Sequence, residues 1–401
     1  MAIDAATERT ISPRLILFAL AVGGFAIGTN EFAAMGLLPY FAATMGVDEP
    51  SAGHIISAYA LGVVVGAPLI AVVAARWSRR STLIWLMVWF GLANILVGLS
   101  PNYGTMIAFR FIAGLPHGAY FGVAVLLAAS LVPRERRTQA SGRVLLGLTI
   151  ATILGVPVAQ FIGQTIGWRW GFELVALIAL LCATLIFLHA PRDAGQPDAT
   201  PLRELDALRR PQVWLALGIG AIGFGGMFGV YSYMSATLLE ETMVSEAAVP
   251  FFLAAFGVGM TIGNLVGSWA ADRALIPTIA GILIWSAMAL LAYSFVTHSP
   301  VGMALVAVAV GVCGGLVPPL QTRLMDVAGH AQTLAAALVH SALNFANALG
   351  PFIAGLTIAA GLGWKSAGWI GAFLPLAGLV FLGISVTLDR RQKARLAAAQ
   401  G

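Results

Sequence analysis

The sequence predicts an all-α membrane protein, with twelve transmembrane helices in two six-helix pseudo-symmetric bundles. Three observations predict it. The composition is too apolar and too poor in charge for a water-facing surface. The chain divides into twelve apolar runs, each long enough to cross a bilayer, with basic residues gathered in alternate connections. Glycines and a following arginine recur at a fixed offset of 197 residues.

The composition comes first. Hydrophobic residues make up 59% of the 401 and charged residues only 10%, and the mean hydropathy is +0.90. Soluble domains carry roughly a quarter charged residues. Lipid is the solvent that tolerates such a chain. The formal charge of +5 does not indicate a nucleic-acid partner. The basic residues form short clusters between apolar runs and build no basic face with interleaved aromatics. Cys182 and Cys313 lie far apart in apolar runs, outside any metal-ligand spacing, and read as small buried hydrophobes. No metal or other cofactor is expected.

The spans follow from a ruler of about 20 apolar residues per helix. The first half contains runs at about 15–40, 51–75, 82–100, 104–131, 140–165 and 170–189. The second contains runs at about 213–238, 248–270, 275–297, 301–324, 334–360 and 366–388. The first run follows Arg9 and Arg14 but is too long for a typical signal-peptide core. It reads as an uncleaved helix. An even count puts both termini on one side. Of the 22 Lys and Arg, 19 fall in the connections on that side, including Arg76, Arg79, Arg80, Arg134, Arg136, Arg137, Arg209, Arg210 and Arg273. Only Arg169 and Lys365 fall opposite, where the loops carry Asp48, Glu49, Glu240, Glu241 and Glu246. The asymmetry predicts both termini in the cytoplasm of a multi-pass cell (inner) membrane protein.

The repeat divides the chain. Gly62, Gly66 and Arg76 match Gly259, Gly263 and Arg273, and Gly114 and Gly118 match Gly311 and Gly315, all at offset 197. Gly155 and Gly167-Trp168-Arg169 match Gly350 and Gly363-Trp364-Lys365 at 195 to 196. Small residues four apart let helices approach closely. The expected units are an N-terminal bundle (1–190), a cytoplasmic linker (191–211) with four prolines, and a C-terminal bundle (212–401). Paired six-helix halves around a midplane site are an architecture of alternating access.

Ionisable residues inside spans are costly and mark candidate functional positions. Glu31 lies about sixteen residues into the first run. An apolar setting penalises a carboxylate. A carboxyl that exchanges its proton near neutral pH is what a proton-coupled carrier needs. Arg110, early in the fourth run, cannot lose its charge and needs a partner or a wet cavity. A switchable Glu31–Arg110 interaction is the expectation. His117 follows Arg110 by two helical turns on the same face and suits a proton relay. Candidate substrate contacts are Asn30, Tyr59, Tyr120, Tyr231, Tyr233, Gln321, His340, Asn344 and Asn347, a neutral, mixed set suited to a polyol or an amphipathic molecule. His54 sits near a span mouth, where an interfacial role is expected. Pro116 and Pro157 remove intrahelical hydrogen bonds and permit kinks.

These residues carry a resemblance. Asn30-Glu31-Phe32, Tyr59-Ala60-Leu61-Gly62, Gly66-Ala67-Pro68, Arg76-Trp77-Ser78-Arg79-Arg80, Arg110 with Gly114 and Pro116, and Gly155-Val156-Pro157 stand in successive spans and loops. Over nearly its whole length the chain resembles the major facilitator superfamily, and within it the twelve-span drug:proton antiporters of the sugar-efflux and arabinose-efflux-permease-like branch. The resemblance implies a proton-coupled efflux antiporter of sugars or small amphipathic drugs or metabolites, working by rocker-switch alternating access. A proton-coupled uptake symporter or an uncoupled facilitator is the alternative. It also implies gating or motif roles for Arg76, Arg79, Arg80, Gly155, Pro157, Asp272 and Arg273. Its usual loop aspartate is replaced by Ala75 in the first half, whereas the second keeps Asp272-Arg273. The expected partners are a small-molecule substrate, protons and the lipid bilayer, with a monomer sufficient.

Other classes lack their motifs. No Gly-x4-Gly-Lys-Ser/Thr occurs for a nucleotide-driven pump. Neither HExxH nor GxSxG occurs for a membrane hydrolase, so no catalytic residues are expected. No long output domain suggests a sensor.

Overall fold

The computed structural model describes residues 13–47, 49–193, 195, 206–329 and 331–400. Arg9, Asp48, Arg203 and most of the expected linker 191–211 lie outside them. Among the described residues there is no strand. Twelve helices are long and apolar enough to cross a membrane. In the first half they are α1 (Pro13–Gly36), α2 (His54–Arg76), α3 (Arg79–Gly98), α4 (Tyr103–Ser130), α5 (Arg134–Ile162) and α6 (Thr165–His189). In the second they are α7 (Pro211–Glu240), α8 (Val249–Ala271), α9 (Leu275–Val296), α10 (Pro300–Ala328), α11 (Leu334–Leu362) and α12 (Ser366–Arg391).

Local chemistry sets several ends. The Ser78 hydroxyl accepts from the Ser81 N–H at the start of α3. Asn102 and Thr105 form a reciprocal capping box at the start of α4. Proline occupies the first turn of α7 and α10, where its missing N–H costs nothing. One expected boundary is wrong. The run at 15–40 breaks at Leu37, and a short helix, Leu38–Met45, follows. Pro39 has no N–H for a continuing ladder. The short helix ends at Gly46, whose φ of 66° favours glycine.

The repeat is a packing device. A methyl added at Gly62 would fall on the Phe111 carbonyl oxygen, and one at Gly259 on that of Val308. Gly114 meets the Tyr59 carbonyl as Gly311 meets that of Phe256. Both partners are displaced by the same 197 residues, so α8 packs on α10 as α2 packs on α4. The wide π turns Gly163–Gly167 in α5 and Ile358–Leu362 in α11 also correspond, at offset 195. A further π turn, Ala151–Gly155, precedes Pro157, whose missing N–H frees a carbonyl within that turn.

Each half has its own apolar core. Leu20, Ile27, Phe90, Phe121 and Cys182 belong to the first; Ile219, Leu283, Tyr293, Val310 and Leu320 belong to the second. The halves meet where α5 packs on α8 and where α11 packs on α2 and α4.

Candidate functional site

Glu31 is buried on α1 where the halves meet. Asn347, on α11 of the other half, donates to its Oε1 at 3.4 Å. The neighbouring Asn30 serves Arg110 instead: its Oδ1 accepts from Nη1 at 3.0 Å. Arg110 is wholly buried. Its Nε donates to the Ile55 carbonyl at 3.3 Å, and its guanidinium lies 4.4 Å from the centre of the Tyr59 ring. Arginine suits such a place because its flat, weakly hydrated cation both stacks and donates. Among the described residues no carboxylate stands within ion-pair distance of Arg110. In this conformation the expected Glu31–Arg110 contact is replaced by Asn347 on one side and Asn30 on the other.

Tyr59 links Arg110 to the histidines. Its hydroxyl lies 3.0 Å from Nδ1 of His117. The His117 ring is 5.4 Å from that of His340, and Phe121 stacks on His340 at 4.3 Å. Both histidines are buried with Nε2 unpartnered, as are Nη2 of Arg110 and Oδ1 of Asn344. Buried polar atoms are ordinarily satisfied, so this cluster marks a place where water or a solute is received.

The space is a central cavity of about 40 Å³. Glu31, His117, Thr149, Asn264, His340 and Asn344 supply its polar wall. Phe32, Phe224, Met227, Phe228, Met260 and Leu343 supply much of the rest. A water needs about 10–15 Å³ of such volume, so the cavity takes roughly three waters and no sugar or drug.

The two ends close differently. At the end that carries the basic loops, Asp272 at the foot of α8 accepts the N–H groups of Thr138 and Gln139 on α5, at 3.1 and 3.2 Å. A carboxylate there satisfies free donors and meets the positive end of the helix dipole. The Thr138 and Thr322 hydroxyls lie 3.1 Å apart, and Asn264 donates to the Gly142 carbonyl at 2.8 Å. At the acidic end, Phe32 meets Tyr231 edge-on at 5.7 Å, and Tyr231 packs on Phe256 at 4.5 Å. One end is latched by hydrogen bonds between halves and the other is lidded by three rings.

The loop residues divide accordingly. Ala75 stands at the repeat position of Asp272 and can make no such latch. Asp193 instead accepts the N–H groups of Arg79 and Arg80, at 2.8 and 3.3 Å, within the first half. Arg80 donates to the Phe187 carbonyl at 2.6 Å. Arg273 donates to that of Trp269 at 2.9 Å and stacks on its ring. Arg76 is exposed. Gly155 packs against the side chain of Thr29.

Of the nine expected substrate contacts only His340 and Asn344 line the cavity; Asn30, Tyr59, Tyr231 and Asn347 make the contacts given above, and three lie elsewhere. The Tyr120 hydroxyl donates to the Leu20 carbonyl at 2.7 Å, inside the first half's core. Tyr233 donates to the Pro351 carbonyl at 3.2 Å, with Trp364 beside it. Gln321 donates to the Ala336 carbonyl at 3.1 Å. None lines the cavity. His54 pairs with the Tyr103 hydroxyl at 2.9 Å, joining α2 to α4 at the acidic end. Thr149, Asn264 and the Phe–Met wall were missed, as was Arg323, which reaches Asp389 at 2.6 Å and Ser385 at 3.0 Å.

Twelve spans in two repeated halves, joined around a small central cavity, define a secondary transporter. Known proteins agree. The chain matches the Major Facilitator Superfamily over residues 20–237 and 217–401. It is 39% identical to the inner membrane transport protein YdhP of Escherichia coli over 93% of this chain and 94% of that one. It is 33% identical to a chloramphenicol resistance protein of Streptomyces lividans over 91% and 95%. Among solved structures, the fucose:proton symporter FucP in its outward conformation superposes with a TM-score of 0.71 at 18% identity, over 93% of this chain and 98% of that one. The chain belongs to the major facilitator superfamily. It is a multi-pass inner-membrane transporter, not an enzyme.

Proposed function

We propose that this transporter is a proton-coupled efflux antiporter for small amphipathic molecules, with Glu31 as its proton carrier. The observation that carries this reading is Glu31 itself. It is a carboxyl buried in the wall of the central cavity, and its hydrogen-bond donor among the described residues, Asn347, belongs to the opposite half. Gaining or losing a proton there changes a contact between halves, which is the coupling that antiport requires. Arg110 stands near enough to sense the change, while Asn30 and Tyr59 hold its charge when Glu31 is neutral. The Tyr59–His117–His340 chain offers a second set of exchangeable protons beside the cavity.

The lining supports an amphipathic solute over a polyol. Phenylalanine and methionine make up much of the lining, which also holds His117, His340 and Asn344, each with an unpartnered polar atom. Methionine suits pockets that accept varied shapes. The relative named for chloramphenicol resistance fits this choice. We take the end with the basic loops as cytoplasmic, so the latched end faces the cell interior. One proton crossing 100 mV contributes about 2.3 kcal/mol, enough for a gradient of about fifty-fold.

The test is proteoliposomes with an internal pH dye, challenged with lipophilic cations, chloramphenicol and sugars, comparing wild type with Glu31→Gln. Substrate-driven proton movement in the wild type, lost in the variant while substrate exchange persists, is the expected result. Proton and substrate moving in the same direction would make it a symporter. Substrate movement with no proton flux, unchanged in the variant, would make it a facilitator and remove Glu31 from the mechanism.

A further inference from the structure

A groove of about 610 Å³ lies between α2, α3 and α4, away from the central cavity. Ile70, Val73, Leu92, Leu96 and Ile112 line it, together with Trp77, Trp85 and Trp89. All three tryptophans are exposed. From Thr82 to Leu96 it follows α3 for about 21 Å at 1.5 Å per residue. That length takes an acyl chain through one leaflet, half of a core about 30 Å thick.

The groove is more than ordinary lipid-facing surface. Tryptophan concentrates at the membrane interface, yet Trp85 and Trp89 lie six and ten residues beyond Arg79, about 9 and 15 Å deeper. At its basic end the groove joins a polar hollow of about 240 Å³, which shares Ala74, Trp77 and Thr82 and adds Arg79. Asp193 also borders this hollow, but its two oxygens accept the backbone N–H groups of Arg79 and Arg80. Arg80 is turned to the Phe187 carbonyl. No carboxylate among the described residues lies within ion-pair distance of the Arg79 guanidinium.

The repeat supplies an internal control. At offset 197, Trp77, Trp85 and Trp89 correspond to Ala274, Ile282 and Ser286, and Arg79 corresponds to Ile276. The second half keeps the helix packing but has one exposed tryptophan on α9, Trp285, in place of the row of three, and isoleucine in place of this arginine. The fold does not require them.

We propose that this groove binds one anionic phospholipid from the leaflet on the basic side. One acyl chain lies along Trp85 and Trp89, and the phosphate sits beside Arg79. A guanidinium donates readily to phosphate oxygens, and a tail held in a groove adds specificity that a flat bilayer contact lacks.

The test is native mass spectrometry of the full-length protein in detergent, titrated with phosphatidylglycerol or with phosphatidylcholine of the same chains. One phosphatidylglycerol is expected to be retained at least tenfold better than phosphatidylcholine. Arg79→Gln, and separately Leu92→Trp, which fills the groove, should each reduce that retention about tenfold. Ile284→Trp, on exposed α9 surface, should leave it unchanged. Equal retention of both lipids, retention unaffected by either groove variant, or displacement by millimolar inorganic phosphate would overturn the proposal. Should a variant fail to fold, phosphatidylglycerol carrying an acyl diazirine is applied to the wild type. Crosslinks at Leu92 or Leu96 support the site, and crosslinks confined to other helices refute it.

Discussion

At the residue scale, the site is built around a cation that cannot be discharged. Arg110 is wholly buried, and its partners are a side-chain oxygen, a carbonyl and a ring face rather than a carboxylate. That arrangement leaves Glu31 able to change its charge without orphaning the arginine. Tyr59 has two separable jobs in it: its ring lies under Arg110 and its hydroxyl reaches His117. Tyr59→Phe removes only the second. A hydrogen bond of this kind contributes about 0.5–1.5 kcal/mol, so the variant should fold and bind substrate while its transport shows an altered pH profile. Tyr59→Leu also removes the stacking, which adds about 2 kcal/mol for a desolvated cation. Thermal unfolding in detergent should therefore separate the two variants, with Leu well below Phe. Equal stability and identical pH profiles would dissociate Tyr59 from both neighbours.

At the element scale, glycines determine how closely helices pair. Gly62 and Gly259 sit against carbonyls related by the repeat, whereas Gly281 and Gly383 have nothing near them. Gly62→Ala and Gly259→Ala should each destabilise the protein by about 1–3 kcal/mol, the usual cost of overpacking. Gly281→Ala and Gly383→Ala should be neutral or slightly stabilising, since alanine is the better helix former. Parallel unfolding curves of the four variants check this. The spans and the repeat could be read from the chain because a membrane helix announces itself by length and because close-packed glycines cannot vary freely. The break at Leu37 was harder to read, since the apolar run continues through Pro39. Glu31, Arg110 and His117 stood out because charge and imidazole are rare in such runs. Thr149, Asn264 and the Phe–Met wall did not, since hydroxyls, amides and apolar side chains are ordinary there. Tyr59 and Tyr120 look alike in sequence, yet one reaches His117 and the other turns into the core. That difference depends on helix rotation, which an evenly apolar helix does not encode.

At the scale of the whole molecule, the unequal ends set which way the cavity opens. Opening the basic end breaks the Asp272 caps, the Thr138–Thr322 contact and the Asn264–Gly142 bond. Opening the acidic end separates Phe32 from Tyr231. The repeat would allow a second latch from the α2–α3 loop, but Ala75 leaves that position empty of charge, so among the described residues Asp272 supplies the helix-capping carboxylate between halves. Removing such a cap costs about 0.5–2 kcal/mol, a roughly two- to thirty-fold change in the population of the opened state. Inverting a 99:1 equilibrium takes about 5.5 kcal/mol, so Asp272→Ala should tilt the balance without reversing it. Asn344→Cys, made in a chain lacking Cys182 and Cys313, places a thiol in the cavity wall. With the latch intact, an impermeant thiol reagent should label it from the acidic side of oriented membranes and scarcely at all from the basic side. Adding Asp272→Ala should raise basic-side labelling several-fold and leave acidic-side labelling the larger. Labelling that favours the basic side before the latch is touched would mean that the three rings, not the capped helix, are the stronger closure.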